Sequence, residues 1–244
     1  MSKYKKFMAV GDNHGWHACP IALKKVKEFK AKWNPDYRIH LGDVWDFTPL
    51  RSKASQDERA EGIGVDFQDG WDFLNEYQPT HLTLGNHDDR IWMNMNHGAD
   101  GVLRETCHKL AMECEAEFKK RKIAFVPYHV NSYLRLPEGG PKLIHGFRST
   151  TYPAKAHHEN WGSCLHGHCH TADQYTARHI DGGQSFSVGC LADLSKLTYS
   201  DRQPAKLGHR NGFLYGVINS KTGAWQAWQV VKDGIDWISP QGIL

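Results

Sequence analysis

FMAVGDNH at Phe7 to His14, RIHLGDVWD at Arg38 to Asp46 and HLTLGNHD at His81 to Asp88 share one grammar. A short run of strand-favouring residues is followed at once by glycine, and the glycine by an acid or its amide. Each reads as a strand that ends in a glycine turn. Between the first two, Ile21, Leu23, Val26 and Phe29 recur near helical spacing with most lysines opposite. The stretch Ile21 to Lys32 is therefore expected to be a crossover helix, which makes the opening a β-α-β unit.

Outward from that unit the pattern continues and then changes. Thr48 to Asp66 is polar and mixed in charge, and reads as an insertion beside a strand end, ahead of a helix around Phe67 to Tyr77. Ala111 to Lys122 favours helix and Ile123 to Val126 strand. From Asn131 the segments NSYLRL, KLIHG, SCLHG, QYTARHI, SFSVG, GFLYGVIN and AWQAWQVV alternate over short spans, which predicts a strand-rich second half. Tyr152, Pro153 and the helix-like AKAHHENW interrupt it once, and Leu136 to Pro141 (LPEGGP) reads as a hairpin-type turn. With no tandem repeat, low-complexity tract or linker, a single domain spanning residues 1–244 is expected.

Composition narrows the function classes. Lys and Arg exceed Asp and Glu by 30 to 27, a net charge of +3, too mild to announce a nucleic-acid binder. No apolar run is long enough for a membrane span, and the basic start MSKYKK precedes an apolar stretch too short for a signal peptide, so a cytoplasmic location is expected. Cys19, Cys107, Cys114, Cys164, Cys169 and Cys190 form no CxxC pair and are expected to be free thiols. The 16 histidines direct attention to metal sites.

Five signatures line up: GDNH (Gly11 to His14), GDVWD (Gly42 to Asp46), GNHD (Gly85 to Asp88), His145 in LIHG, and GHCH (Gly167 to His170). Alone, each has a bland reading, because Gly-Asp and Gly-Asn are common turn chemistry and a lone histidine at a strand end is usually structural. All five sit where a strand should end, and in open α/β sheets ligands gather beyond the carboxyl ends of strands. His168 and His170, two apart on what reads as an extended segment, should point the same way and serve neighbouring ions.

In this order the five blocks resemble the calcineurin-like metallophosphoesterase superfamily, whose pattern is D-x-H, G-D-x-x-D, G-N-H-[DE], H, G-H-x-H. The resemblance spans Asp12 to His170 and implies a four-layer α/β/β/α sandwich with two mixed β-sheets. It places Asp12, His14 and His170 on one metal ion and Asn86, His145 and His168 on another, with Asp43 shared. This donor set suits Mn, Fe, Zn, Co or Ni better than Ca or Mg, with Mn favoured. The implied reaction is hydrolysis of a phosphoester by in-line attack of a metal-bridging hydroxide. His87 would protonate the leaving oxygen, and Asp46 would orient and charge His87.

Phe47 and Thr48 stand where the protein phosphatases of that superfamily carry Arg-Gly, which favours the phosphodiesterase-like branches and a nucleotide or nucleic-acid substrate. The alternatives are a DNA exo- or endonuclease, a small-molecule phosphomonoesterase, and a non-catalytic interaction scaffold. Arg90, His17, Arg51 and Arg148 are candidates to touch substrate phosphate, and Trp16, Trp45 and Trp92 candidates to stack on bases. Cys169 is expected to face away from the metals, His166 to be a neighbour rather than a ligand, and His157 and His158 to lie at the surface. No membrane and no obligate protein partner are expected.

Overall fold

The computed structural model describes residues 3–96, 100–178, 182–197, 206 and 208–244. Strand β1 (Tyr4–Val10) leads through helix α1 (Pro20–Trp33) to β2 (Tyr37–His40). Proline at the first helical position suits α1 because it has no N–H to leave unpaired, and Asn34 in the left-handed region ends the helix. Helices α2 (Gln56–Ala60) and α3 (Gly64–Tyr77) precede β3 (His81–Thr83), and α4 (Arg90–Asn96) and α5 (Gly101–Lys120) precede β4 (Ala124–Val126). The four strands pair in parallel, as crossover helices require.

A second sheet follows. It is built from β5 (Leu134–Leu136), β6 (Gly139–Ile144), β7 (Cys164–His166), β8 (Ala172–Thr176) and β9 (Gln184–Val188), with α6 (Pro153–Trp161) between β6 and β7. Its order is β5-β6-β7-β9-β8, parallel in the middle and antiparallel at both edges. The chain then returns to the first sheet. Strand β10 (Gly212–Asn219) pairs antiparallel with the free edge of β1, and β11 (Trp225–Asp233), β12 (Asp236–Ser239) and β13 (Gly242–Ile243) extend it to eight strands. The last strands, outside the resemblance, thus complete the sheet that the first strand begins.

Apolar side chains of both sheets meet in one layer: Phe7, Ala9, Ile39 and Leu41 from the first, Leu143, Leu165, Phe186 and Val188 from the second. On the outer face of the first sheet, α1 buries Ala22, Val26 and Phe29, and α5 buries Cys107, Ala111, Cys114 and Phe118. Helix α6 covers the second sheet. The result is the four-layer α/β/β/α sandwich with two mixed sheets. Among the described residues no helix is long and apolar enough to cross a membrane.

Two helices begin well before their expected first residues. Helix α3 begins at Gly64, so Asp66 lies in its first turn and not in the insertion. Helix α5 begins at Gly101, because Asp100 caps it by accepting the Leu103 N–H at 2.9 Å, a signal outside the apolar repeat.

Candidate metal centre

All five signatures lie at the carboxyl ends of strands, after β1, β2, β3, β6 and β7. Their loops are zipped together by main-chain bonds: Asp12 N–H to Gly42 O (2.9 Å), His14 N–H to Asp43 O (3.0 Å) and Gly15 N–H to Val44 O (2.7 Å). This lattice holds an unusual backbone. Asp12, His14, Asp43, His168 and His170 all have φ between 53 and 69°, the left-handed region that side-chain-bearing residues avoid at a cost of about 1–3 kcal/mol each. The segment His168 to His170 is therefore no extended strand. The two histidines converge by a turn, a correction to the expected alternation.

Carboxylates are gripped from the main chain. His168 N–H reaches Asp12 Oδ1 and Oδ2 at 2.9 and 3.1 Å, and His87 N–H reaches Asp43 Oδ1 at 2.9 Å. Gly167 permits the first grip, since a Cβ there would stand 2.4 Å from Asp12 Oδ2. Asp43 Oδ2 is then left facing a ring of imidazoles: His145 Nε2 at 3.3 Å, His14 Nε2 at 3.8 Å and His87 Nε2 at 4.0 Å.

Around Asp43 the donors fall into two groups. Asp12, His14 and His170 converge with His14 Nε2 to His170 Nε2 at 3.1 Å and His170 Nε2 to Asp12 Oδ1 at 3.4 Å. On the other side Asn86 Oδ1 stands 3.1 Å from His145 Nε2 and 2.8 Å from His168 Nδ1, and Asp43, His145 and His168 cluster. Ligands about 2.1 Å from a shared ion lie about 3.0–3.4 Å from one another, so these spacings fit divalent ions. The ring tautomers agree. His145 Nδ1 donates to Leu41 O at 2.7 Å and His14 Nδ1 meets Asp46 Oδ2 at 3.0 Å, which turns the Nε2 lone pair of each ring inward.

Electrostatics point the same way. Burial works to raise Asp12, Asp43 and Asp46, but surrounding histidines outweigh it and all three fall below the ordinary carboxylate range. Burial lowers His14, and lowers His168 to about 3, leaving both rings neutral. His145 is raised to about 9: burial opposes the shift, and Asp43 overcomes it. The ionised carboxylates and the neutral His14 and His168 are in the states that metal ligation requires, whereas His145 would give up its Nε2 proton to an incoming ion.

Asp46 is the hub next door. Its Oδ2 lies 3.0 Å from His14 Nδ1, 3.2 Å from His87 Nδ1 and 3.6 Å from His17 Nδ1, while Oδ1 accepts from Thr48 Oγ1 at 2.7 Å. For His87, burial pulls the pKa down, but Asp43 and Asp46 together lift it above its ordinary value. The His87 ring also stands edge-on to His14, 4.6 Å between centroids.

The remaining candidates separate. Arg90 binds Asp46 through both its carbonyl and Oδ1, so its guanidinium braces an acid instead of facing outward. Arg51 pairs with Glu58, Arg148 is exposed, and His17 is nearly buried beside Asp46. Trp45 is fully buried in the helix-side core, Trp92 is half-buried and bonded to Glu115, and only Trp16, 40% exposed, keeps an open face. Cys169 is buried and donates to Arg148 O at 2.9 Å. His157 is no surface residue. It is fully buried, bonded through Nδ1 to Pro153 O and through Nε2 to Phe147 N–H, and its ring stacks on His166 at 3.8 Å. Both its nitrogens are committed, so it braces the loop after His145. His158 is half-buried against Ser185.

Four supporting residues escaped the sequence reading. Buried His40 donates from Nε2 to Asn13 Oδ1 (2.8 Å) and accepts Gly42 N–H at Nδ1 (3.1 Å), while Asn13 Nδ2 donates to Val44 O. Burial holds His40 neutral, at about 3. Asp88 accepts Trp45 N–H and Gly85 N–H, tying the second loop to the third. Asp66 reaches the first and second loops from α3. Asn13 and Asp88 stand inside the signatures, so their position was a signal; His40 and Asp66 carried none.

The family model described as calcineurin-like phosphoesterase matches residues 5–183. Among solved structures, vacuolar protein sorting 29 from Cryptosporidium parvum shares the fold at a TM-score of 0.51 and 12% identity, over 98% of this chain and 96% of that chain. YfcE from E. coli, described as a phosphoesterase, aligns at 17% identity over 93% and 100% of the two chains, with a TM-score of 0.42. A predicted phosphoesterase from Streptococcus pneumoniae aligns at 14% identity over 99% and 93%, with a TM-score of 0.39. Among curated proteins no relative was found.

Proposed function

The chain belongs to the calcineurin-like phosphoesterase family, and from that premise we propose that it is a dinuclear metal-dependent phosphodiesterase acting on a nucleotide or nucleic-acid phosphodiester. One observation carries the reading: two donor groups, Asp12/His14/His170 and Asn86/His145/His168, abut across the single carboxylate of Asp43. Those residues would hold one divalent ion each, with Mn favoured and Asp43 shared. When bound, such ions supply Lewis acidity, which polarises phosphoryl oxygens and acidifies water.

The protein's own groups do the rest. His87 Nδ1 is held by Asp46, so its Nε2 faces the cluster from 4.0 Å off Asp43 Oδ2. Two carboxylates keep a proton on that ring, and Nε2 delivers it to the departing oxygen. His14 and His145 are oriented by Asp46 and by Leu41 O, so neither ring needs to turn when substrate arrives. A diester carries one negative charge at neutral pH where a monoester carries nearly two. Arg90 and Arg51 are committed to Asp46 and Glu58, which leaves only exposed Arg148 among the three candidate arginines for the second charge and favours the diester.

The test is metal content and turnover together. Protein loaded with Mn is expected to hold two ions per chain and to hydrolyse bis(4-nitrophenyl) phosphate faster than 4-nitrophenyl phosphate. Fewer than one ion bound, with both esters intact, would leave a non-catalytic scaffold; monoester preference would move the assignment to a phosphomonoesterase.

A further inference from the structure

Helix α3 enters the site through one side chain. Asp66, in its first turn, is 3% exposed and accepts three main-chain N–H groups: Trp16 at 3.3 Å on Oδ1, Asp46 at 3.1 Å and Phe47 at 2.8 Å on Oδ2. These amides come from the two loops that carry the first two signatures. Trp16 is the second residue of a 3-10 turn (Gly15–His17), whose first N–H groups lack partners within the turn. Asp46 and Phe47 lie in an irregular loop, where an unpaired buried N–H would cost as much as a lost hydrogen bond.

The approach is close enough to constrain the sequence on the opposite side. A Cβ at Gly15 would fall 1.9 Å from Asp66 Oδ1, and Gly15 itself has φ +47, so glycine is required there twice over. The helix is pinned to the same loop a second time, by Trp45 Nε1 donating to Phe67 O at 3.0 Å. Asp66 has no ion-pair partner among the described residues, and burial raises its pKa to about 6. A buried acid without a cation is a stability cost, and one kept beside a site calls for a functional reason.

The Asp46 side chain supplies that reason. Its Oδ2 must face His14 Nδ1 and His87 Nδ1 at once, at 3.0 and 3.2 Å, and a main-chain shift of a few tenths of an ångström would favour one at the expense of the other. We propose that Asp66 is a positioning residue: it holds the Asp46 main chain so that one carboxylate oxygen serves both the metal-facing His14 and the proton-bearing His87. This rests on the phosphodiesterase reading above.

The experiment compares the full chain with Asp66→Asn and Asp66→Glu, each loaded with Mn, on methyl 4-nitrophenyl phosphate and methyl phenyl phosphate. Asp66→Asn keeps one acceptor oxygen and should fold; it is expected to lose about tenfold in kcat on the phenyl ester and under about threefold on the nitrophenyl ester. KM and bound Mn should stay unchanged, because the ligands are untouched and His14 keeps the shorter of the two contacts to Asp46, 3.0 Å against 3.2 Å for His87. Equal loss on both esters, or loss matched by lost metal, would make Asp66 a merely structural residue and overturn the proposal. Amide hydrogen exchange provides a reading independent of turnover. Trp16, Asp46 and Phe47 should be protected in the parent protein and exchange faster in Asp66→Glu; amides as fast as open-loop amides in the parent would also overturn it. A parent protein inert on both esters, with those amides protected, would instead refute the phosphodiesterase reading alone.

Discussion

The two halves of the donor cluster are built differently. Asp12, His14 and His170 lie at or near complete burial, with His14 backed by Asp46 and Asp12 by the His168 amide. In the other half His145 is buried, but Asn86 and His168 are only partly buried. Burial and outer hydrogen bonds set a ligand before its ion arrives, whereas exposed ligands must be ordered on binding. The first half is thus the more preorganised one, and the second the more open.

Asp43 is where the halves meet, so Asp43→Asn should produce the largest effect: activity down at least about a thousandfold, with occupancy of both ions reduced. Metal analysis by mass spectrometry beside a turnover assay reads it, and a variant retaining both ions and full turnover would break the shared-carboxylate geometry. His87→Asn comes next. Both ions should remain while poor leaving groups slow by about 10²- to 10³-fold and good ones by less. Equal slowing across leaving groups would remove His87 from the role of acid.

The asymmetry itself is tested by truncating one imidazole on each side. His168→Ala should weaken one ion by about tenfold or more and leave the other bound, whereas His14→Ala should also release Asp46 and disturb His87. Calorimetric titration with Mn distinguishes them, and identical binding curves would erase the comparison. The smallest effect concerns Asp66. Burial raises its folded pKa from the ordinary 3.8 to about 6, so between those values the folded chain binds a proton that the unfolded chain does not. That contribution favours folding increasingly as pH falls through about 6. Against Asp66→Asn, the parent should therefore gain relative stability between about pH 7 and about pH 5 in denaturant melts of metal-free protein, and a flat difference would deny the raised pKa.

Much of this arrangement was legible because its signals are local. An apolar run, a glycine and an acid announce a strand end wherever they occur, and the strands before Gly11, Gly42 and Gly85 end where that grammar puts them. Arg90 and Trp45 show where locality stops. Their residue types suggested phosphate and base contacts, yet Arg90 is drawn inward by Asp46 and Trp45 is covered by α3 and α5, both decided by what packs above them. His157 looked solvent-facing on a helix rich in polar residues, but its one-turn position over His166 and Phe147 buries it.

The sequence by itself named the candidate donors and their order, because charge and hydrogen-bonding capacity belong to residue types. It determined the alternation of strands and helices for the same reason, through apolar period and turn chemistry. Only the tertiary structure decided which donors face one another. Asp12 and His170 are 158 positions apart, and parallel crossovers in two stacked sheets bring every loop to one edge. It also decided how they are held, since a left-handed His168, an Asp12 gripped on both oxygens and an Asp66 reaching across from α3 depend on contacts that no local stretch contains.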